Sequence, residues 1–179
     1  MILFSGLSLS STEGGRVRRA AMRCAVAASC LLVAGAALPR AALAHERTMD
    51  LKTSLAFIER AKQAAEAVHA HVAIAIVDEG GNLVALEKMD GTQLGSMKLA
   101  IMKAKTSVNY ARPSADMEHA LNGGNYMIGT LPDTLPAGGG YPITIGNKMI
   151  GALGLSGGEG ETDANLAKEA VTTALQSLK

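Results

Sequence analysis

Residues 72–89 read VAIAIVDEGGNLVALEKM, two apolar runs joined by a turn-forming segment. The first run, residues 72–77, is short and rich in β-branched side chains, which is typical of a buried strand. Glu79-Gly80-Gly81-Asn82 supplies turn residues, and the second run follows over residues 83–89. Apolar runs on either side of a glycine-containing turn predict a β-hairpin. This hairpin is therefore expected to form one half of a sheet.

Helices are predicted on both sides of the hairpin. Apolar residues recur every three or four positions over residues 51–68, with charged residues between them, so this segment predicts an amphipathic helix. A second helix is predicted over residues 96–109, and it must end before Pro113 because a residue that precedes proline disfavours helical geometry. A short helix over residues 114–121 and a last helix over residues 163–178 complete the set.

A second hairpin is predicted near the C-terminus. A strand over residues 142–145, a Gly146-Asn147 turn and a strand over residues 148–156 follow a loop, residues 122–140, that is rich in glycine and proline. Loops of this length are often functional, so a binding role is expected there. Two hairpins with helices between them predict an α+β fold, a central antiparallel β-sheet flanked by α-helices, as in a profilin- or PAS-like sandwich.

The N-terminal region has the pattern of an export signal. Arginines precede an apolar run over residues 25–38, whose 14 residues are fewer than the roughly 18 to 20 that a membrane-spanning helix needs. Ala42-Leu43-Ala44 matches a cleavage site. Residues 1–44 are therefore predicted to be a signal peptide. If translation starts at Met22, the residues before it are a non-native upstream extension. Residues 45–179 are predicted to form a single periplasmic or secreted domain. A retained membrane anchor is the alternative.

Cleavage would change the charge and the cysteine content of the protein. It removes five of 17 basic and one of 16 acidic residues, which moves the formal net charge from +1 to about −3. A slightly acidic domain gives no reason to expect a nucleic-acid partner. Cys24 and Cys30 both leave with the signal, so no disulfide is expected in the exported domain. We expect its core and homo-oligomer formation to stabilise it.

Catalytic motifs are weak in this sequence. Residues 154–158 match G-x-S-x-G, but a nucleophile of that kind needs a later histidine, and none follows His119. Phosphate-loop and dinucleotide motifs are absent from the sequence. Glu66, His69 and His71 are candidate metal ligands, but their loose spacing equally suits a surface or capping role, so a metal ion is not the favoured cofactor.

Small side chains recur on one predicted face of the sheet. They let another surface approach the backbone closely. That surface is either a tightly packed helix or a flat apolar ligand beside His71 as an axial donor. The residues that define this face are Ala73 and Ala75 in the first strand and Ile150, Ala152, Gly154 and Ser156 in the last.

The sequence contains four distinctive blocks: Ile74 to Gly81, Lys103-Ala104-Lys105-Thr106, Gly139-Gly140-Tyr141-Pro142-Ile143, and Ile150 to Gly158 with Asp163. Together these blocks resemble the GlcG/HbpS-like haem-binding family over about residues 50–178. The resemblance implies a compact domain with a central antiparallel sheet that assembles into homo-oligomers, and an association with haem binding and in some members with haem degradation.

Haem needs an apolar slot, an axial donor and cations near its propionates. We expect an exported protein that binds haem or a related tetrapyrrole for storage, scavenging or sensing, without turnover. The alternatives are an enzyme of the same fold, which degrades haem or acts on a small hydroxy acid, and an accessory subunit whose role is assembly. The candidate axial ligands are His71 and His69, then His119, Tyr126 and Met127, and the candidate propionate cations are Lys103, Lys105 and Arg112.

Overall fold

The computed structural model describes residues 48–178, so the predicted signal segment lies outside the described residues. No helix in this part of the chain is both long and apolar enough to cross a membrane. The elements in chain order are α1 Leu51–Ala67, β1 Ala73–Asp78, β2 Leu83–Lys88, α2 Ser96–Tyr110, α3 Ser114–Asn122, a 3-10 helix Tyr126–Thr130, β3 Gly140–Ile145, β4 Lys148–Ser156 and α4 Gly160–Ser177.

The four strands form one sheet in the order β2-β1-β4-β3, and every neighbouring pair is antiparallel. Helices cover both faces of the sheet, so the predicted α+β fold is confirmed. Strand β1 lies between β2 and β4, and its residues 73–77 are fully buried. An apolar run without alternation is what a strand covered on both faces requires.

The first face of the sheet packs against α1 and α4. Asp50 caps α1, because its side chain accepts a hydrogen bond from the Thr53 backbone N–H at 2.7 Å. The large apolar side chains of the molecule gather between these helices and the sheet, so most of the hydrophobic stabilisation arises on this face. The cluster includes Phe57, Ile74, Ile76, Leu153, Leu155 and Val171.

The second face carries the small residues and packs against α2. Ala73 and Ala75 contact Ala100 there. A Cβ atom on Gly154 would overlap the Ala100 carbonyl oxygen and lie 2.7 Å from the Ala104 nitrogen. The backbone of α2 therefore rests directly on β4. This confirms the first interpretation of the small-residue face, a tightly packed helix, and leaves no space there for a flat ligand.

A β-bulge in β4 corrects one detail of that predicted face. Ile143 pairs with Gly151 and Thr144 pairs with Met149, so Ile150 is an extra residue in the ladder. Ile150 consequently joins the cluster beneath α1 and α4, whereas Met149 packs on the α2 side. The prediction that Ile150 shares a face with Ala152 is wrong, because strict alternation assumes a strand without a bulge.

Candidate functional site

A buried ion pair lies where the family-like blocks meet. Lys103 Nζ lies 2.8 Å from Asp163 Oδ2 and donates to the Leu155 carbonyl oxygen at 3.2 Å. The side chains of Lys103 and Asp163 are only 5% and 1% exposed. The Lys103 cation is therefore neutralised inside the protein, and it has no free surface for the haem propionate that was expected to meet it.

Asp163 also holds the glycine loop that precedes α4. Its carboxylate accepts hydrogen bonds from the backbone N–H groups of Gly158 at 3.0 Å and Gly157 at 3.4 Å. Gly139 passes beside the pair with a φ of +123°, and a Cβ atom on it would overlap the Leu155 carbonyl oxygen. Glycine is required there by both backbone conformation and space. The ion pair thus fixes the position of the first turn of α4.

The first turns of α4, together with α3 and β3, enclose a cleft of about 250 Å³, which we call the His119 cleft. One wall is fixed by Glu118, whose Oε2 accepts a hydrogen bond from the Gly138 N–H at 2.7 Å. The cleft is lined by Pro113, Ala115, Asp116, Glu118, His119, Gly140, Tyr141, Glu161, Ala164, Asn165 and Lys168.

The His119 cleft combines three kinds of group. His119 and Tyr141 offer a nitrogen and an oxygen donor, Lys168 offers a cation, and Pro113 and Ala164 supply apolar surface. Sequence reasoning identified His119 but missed Tyr141 and Lys168 as site residues. The signal for Lys168 is helical spacing, because positions 161, 164, 165 and 168 share one face of α4. Tyr141 lies inside one of the family-like blocks.

A second cleft of about 350 Å³, which we call the His71 cleft, lies between α1 and the end of β2. Lys62 Nζ and Glu87 Oε1 are 3.0 Å apart, and the hydrogen bond and charge of Glu87 raise the pKa of Lys62. The lining is mostly charged: Lys62, Glu66, His71, Glu87, Lys88, Met89 and Asp90. Met89 is the one apolar side chain in this lining, whereas Pro113, Ala115, Ala164 and the ring of Tyr141 line the His119 cleft.

The predicted metal ligands do not form a metal site. Within residues 48–178, no group of three His, Cys, Asp or Glu side chains is placed to hold a metal ion. Glu66 and His71 line the same cleft, whereas His69 is exposed and has a left-handed backbone with a φ of 57°. The combination of Glu66, His69 and His71 as a metal site is thus not assembled.

The remaining candidate haem residues lie outside both clefts. Tyr126 and Met127 project from the 3-10 helix and are 77% and 69% exposed. Lys105 is an exposed residue of α2. Arg112 is partly buried, and its Nε has no hydrogen-bond partner. Of the predicted axial ligands, the structure therefore places His71 and His119 in clefts, and it separates them.

Comparisons with known proteins agree on the type of domain. A family model described as "Haem degrading protein HbpS-like" matches residues 49–172. Protein GlcG of Escherichia coli K12 is 33% identical over 101 residues, which covers 56% of this chain and 75% of that protein. The crystal structure of a double mutant of Streptomyces reticuli HbpS superposes with a TM-score of 0.65 at 26% identity, over 71% of this chain and 87% of that chain. The crystal structure of a PduOC:haem complex superposes with a TM-score of 0.63 at 25% identity, over 70% of this chain and 94% of that chain.

Proposed function

Because the chain belongs to the HbpS-like family, we propose that it binds haem in the His119 cleft. The observation that carries this proposal is the presence of an imidazole, apolar walls and a cation in one cleft. Haem binding by a relative supports it, since the solved PduOC complex contains haem. The His71 cleft also holds a histidine and lysines, but its lining is mostly charged.

Each group of the cleft has a defined part in this proposal. Haem would supply the iron, and His119 on α3 would provide the axial nitrogen. Tyr141 on β3 would provide an oxygen donor or an aromatic wall. Lys168 would pair with a propionate, whereas Asp116 and Glu161 would repel one. The propionates are thus expected on the Lys168 side of the cleft.

The wider role follows from the sequence. Residues 1–44 have the pattern of an export signal, so the protein is proposed to act in the periplasm or outside the cell. Storage, scavenging or sensing of haem fits a chain in which no catalytic motif was recognised. Haem degradation is the second candidate function, because the matching family is described by that activity. A homo-oligomer is part of the proposal, as the resemblance to the family implies.

The test is a titration of the purified protein, expressed as the full chain, with haemin. A stoichiometric shift of the Soret band is expected, and His119→Ala should abolish it. His71→Ala is the matched control, because it removes an exposed histidine from the other cleft. No spectral change at micromolar haemin would refute the proposal. Loss of the band in His71→Ala alone would refute the assignment to the His119 cleft.

The same sample distinguishes binding from degradation. Haem that is only stored keeps its Soret band when a reductant and oxygen are supplied, apart from the change of oxidation state. Progressive loss of the band in the wild type, and its persistence with free haemin under the same conditions, would favour the enzyme.

The fractionation of cells that express the full chain tests export, and recovery of the uncleaved chain in the cytoplasm would contradict it.

A further inference from the structure

The hydroxyl group of Tyr141 has no partner within the described part of the chain. Tyr110 donates its hydroxyl hydrogen to the Pro132 carbonyl oxygen at 2.7 Å, whereas the Tyr141 hydroxyl makes no hydrogen bond with any of residues 48–178. Tyr141 lines the His119 cleft and is partly buried. Tyrosine hydroxyl groups usually find a hydrogen-bond partner when they are buried. A ligand that fills the cleft covers this hydroxyl and must then supply its partner.

The sheet holds the ring of Tyr141 in place. Tyr141 pairs with Leu153 in the ladder between β3 and β4, and the next residue is Pro142, whose own ring fixes the backbone φ. The Tyr141 side chain packs against the apolar cluster beneath α1 and α4. Donor groups are positioned most accurately when they lie on strands or helices and their side chains are packed. The Tyr141 oxygen therefore meets these requirements for a ligand donor.

His119 and Tyr141 belong to different walls of the cleft. His119 lies on α3, whereas Tyr141 lies on β3, which packs against α4. A flat ligand that enters between these walls has α3 on one side and the layer of β3 and α4 on the other. The imidazole nitrogen and the phenol oxygen are thus available to opposite faces of one macrocycle.

The charges around the cleft favour a positively charged iron centre. The lining holds three carboxylates, Asp116, Glu118 and Glu161, and one ammonium group, that of Lys168. Ferric haem carries one more positive charge at its iron than ferrous haem, so nearby negative charges stabilise the ferric form more. A tyrosine that binds iron releases its proton to solvent and adds the negative charge of a phenolate. Because Asp116 and Glu161 are exposed and screened by solvent, the phenolate has the larger effect.

We propose that Tyr141 is a second iron donor, opposite His119, and that it makes the site selective for ferric haem. The inference rests on the haem site proposed above and adds the oxidation state of the ligand to it. The neutral imidazole of His119 adds no charge, so it does not distinguish the two oxidation states by charge. The phenolate does, because it neutralises the extra positive charge of the ferric centre.

The first experiment compares two redox-inert analogues of haem on the haem-free full chain. Gallium(III) protoporphyrin has the charge of ferric haem, zinc(II) protoporphyrin has that of ferrous haem, and the fluorescence of both reports binding. The wild type is expected to bind the gallium compound more tightly. Tyr141→Phe should reduce this preference by about tenfold or more and leave the zinc affinity unchanged. Tyr126→Phe is the matched control, because Tyr126 is 77% exposed on the 3-10 helix, outside the cleft.

The outcomes separate the role of Tyr141 from the haem site itself. If both analogues bind and Tyr141→Phe keeps the full preference for gallium, Tyr141 is not an iron donor, and the His119 cleft remains the haem site. If neither analogue binds, or if His119→Ala weakens neither, the haem site is wrong and the ferric selectivity falls with it. Thermal melting checks that Tyr141→Phe, which keeps the ring and its packing, is folded.

The second experiment uses haem and remains decisive if Tyr141→Phe fails to fold. The resonance Raman spectrum of the ferric wild-type complex should contain phenolate vibrations, which are expected to persist in Tyr126→Phe and to disappear on reduction with dithionite. Their absence from the ferric wild type would exclude an iron–phenolate bond. In a redox titration, Tyr141→Phe should raise the reduction potential of the haem by about 59 mV or more, which corresponds to the tenfold change in preference.

Discussion

Removal of the Asp163 carboxylate is expected to destabilise the protein more than most single substitutions. Asp163→Ala leaves the Lys103 ammonium buried without its counter-ion, and leaves the N–H groups of Gly157 and Gly158 without their acceptor. Breaking a buried pair from one side costs about 3 to 5 kcal/mol. Because domains of this size are stable by about 5 to 15 kcal/mol, that is a large fraction of the total.

The assay is urea denaturation followed by circular dichroism, together with thermal melting. We expect the melting temperature of Asp163→Ala to fall by roughly 10 to 20 °C. Lys103→Met should also destabilise the fold, and the double variant should lose much less than the sum, because the second substitution removes a charge that is already unpaired. Glu87→Gln is the control, since it weakens the exposed Lys62–Glu87 pair and should leave stability unchanged.

The reasoning would be refuted by a loss below about 1 kcal/mol in Asp163→Ala, or by additive losses in the double variant. Either result would mean that Lys103 and Asp163 do not depend on each other for burial. Far-ultraviolet spectra of each variant before denaturation confirm that the comparison starts from the folded protein.

Two further predictions concern Gly154 in β4 and Asp78 at the turn between β1 and β2. Gly154→Ala should lower the free energy of unfolding by about 1 to 3 kcal/mol, because the new methyl group overlaps the backbone of α2 at Ala100. Gly129→Ala is the control in the same urea assay and should have little effect, because its methyl group meets no atom within 4 Å. Burial raises the pKa of Asp78, but hydrogen bonds from Asn82 and neighbouring backbone outweigh it and lower the pKa below the ordinary 3.8. The ionised Asp78 therefore stabilises the fold above pH 3.8, and this contribution is lost as the pH falls through the lower pKa of the folded state. In acid denaturation, Asp78→Ala should consequently lose less stability than the wild type between about pH 6 and pH 2.

Local patterns in the sequence predict most of the fold. The apolar runs around Gly80-Gly81 become β1 and β2, and the periodic segment over residues 51–68 becomes α1, which ends one residue earlier. Helix α4 begins at Gly160, three residues before its predicted start, because the Glu159 carbonyl oxygen accepts a hydrogen bond from the Asp163 N–H at 2.9 Å. Such patterns succeed because they depend on residues that are close in the chain.

Features that depend on distant residues could not be predicted in this way. Lys103 and Lys105 look alike in sequence, yet Lys103 is buried and Lys105 is exposed. The ion-pair partner of Lys103 is Asp163, which lies 60 positions further along the chain, so the local sequence does not reveal the pair. The bulge at Ile150 depends on the pairing of β4 with β3, which periodicity within one strand does not contain. The His119 cleft likewise joins α3, β3 and α4, so Tyr141 and Lys168 become neighbours of His119 only in the folded chain.

The close contact between Gly154 and α2 has a consequence for how relatives of this protein can be compared. In this chain the glycines of the family-like blocks set the distance between two layers of backbone, so these glycines specify the architecture and contribute no side chain to a ligand site. Proteins as differently named as GlcG, HbpS and PduOC can therefore share this scaffold. In this chain the chemistry has to be sought in the side chains around α3 and the first turns of α4, which that spacing does not constrain.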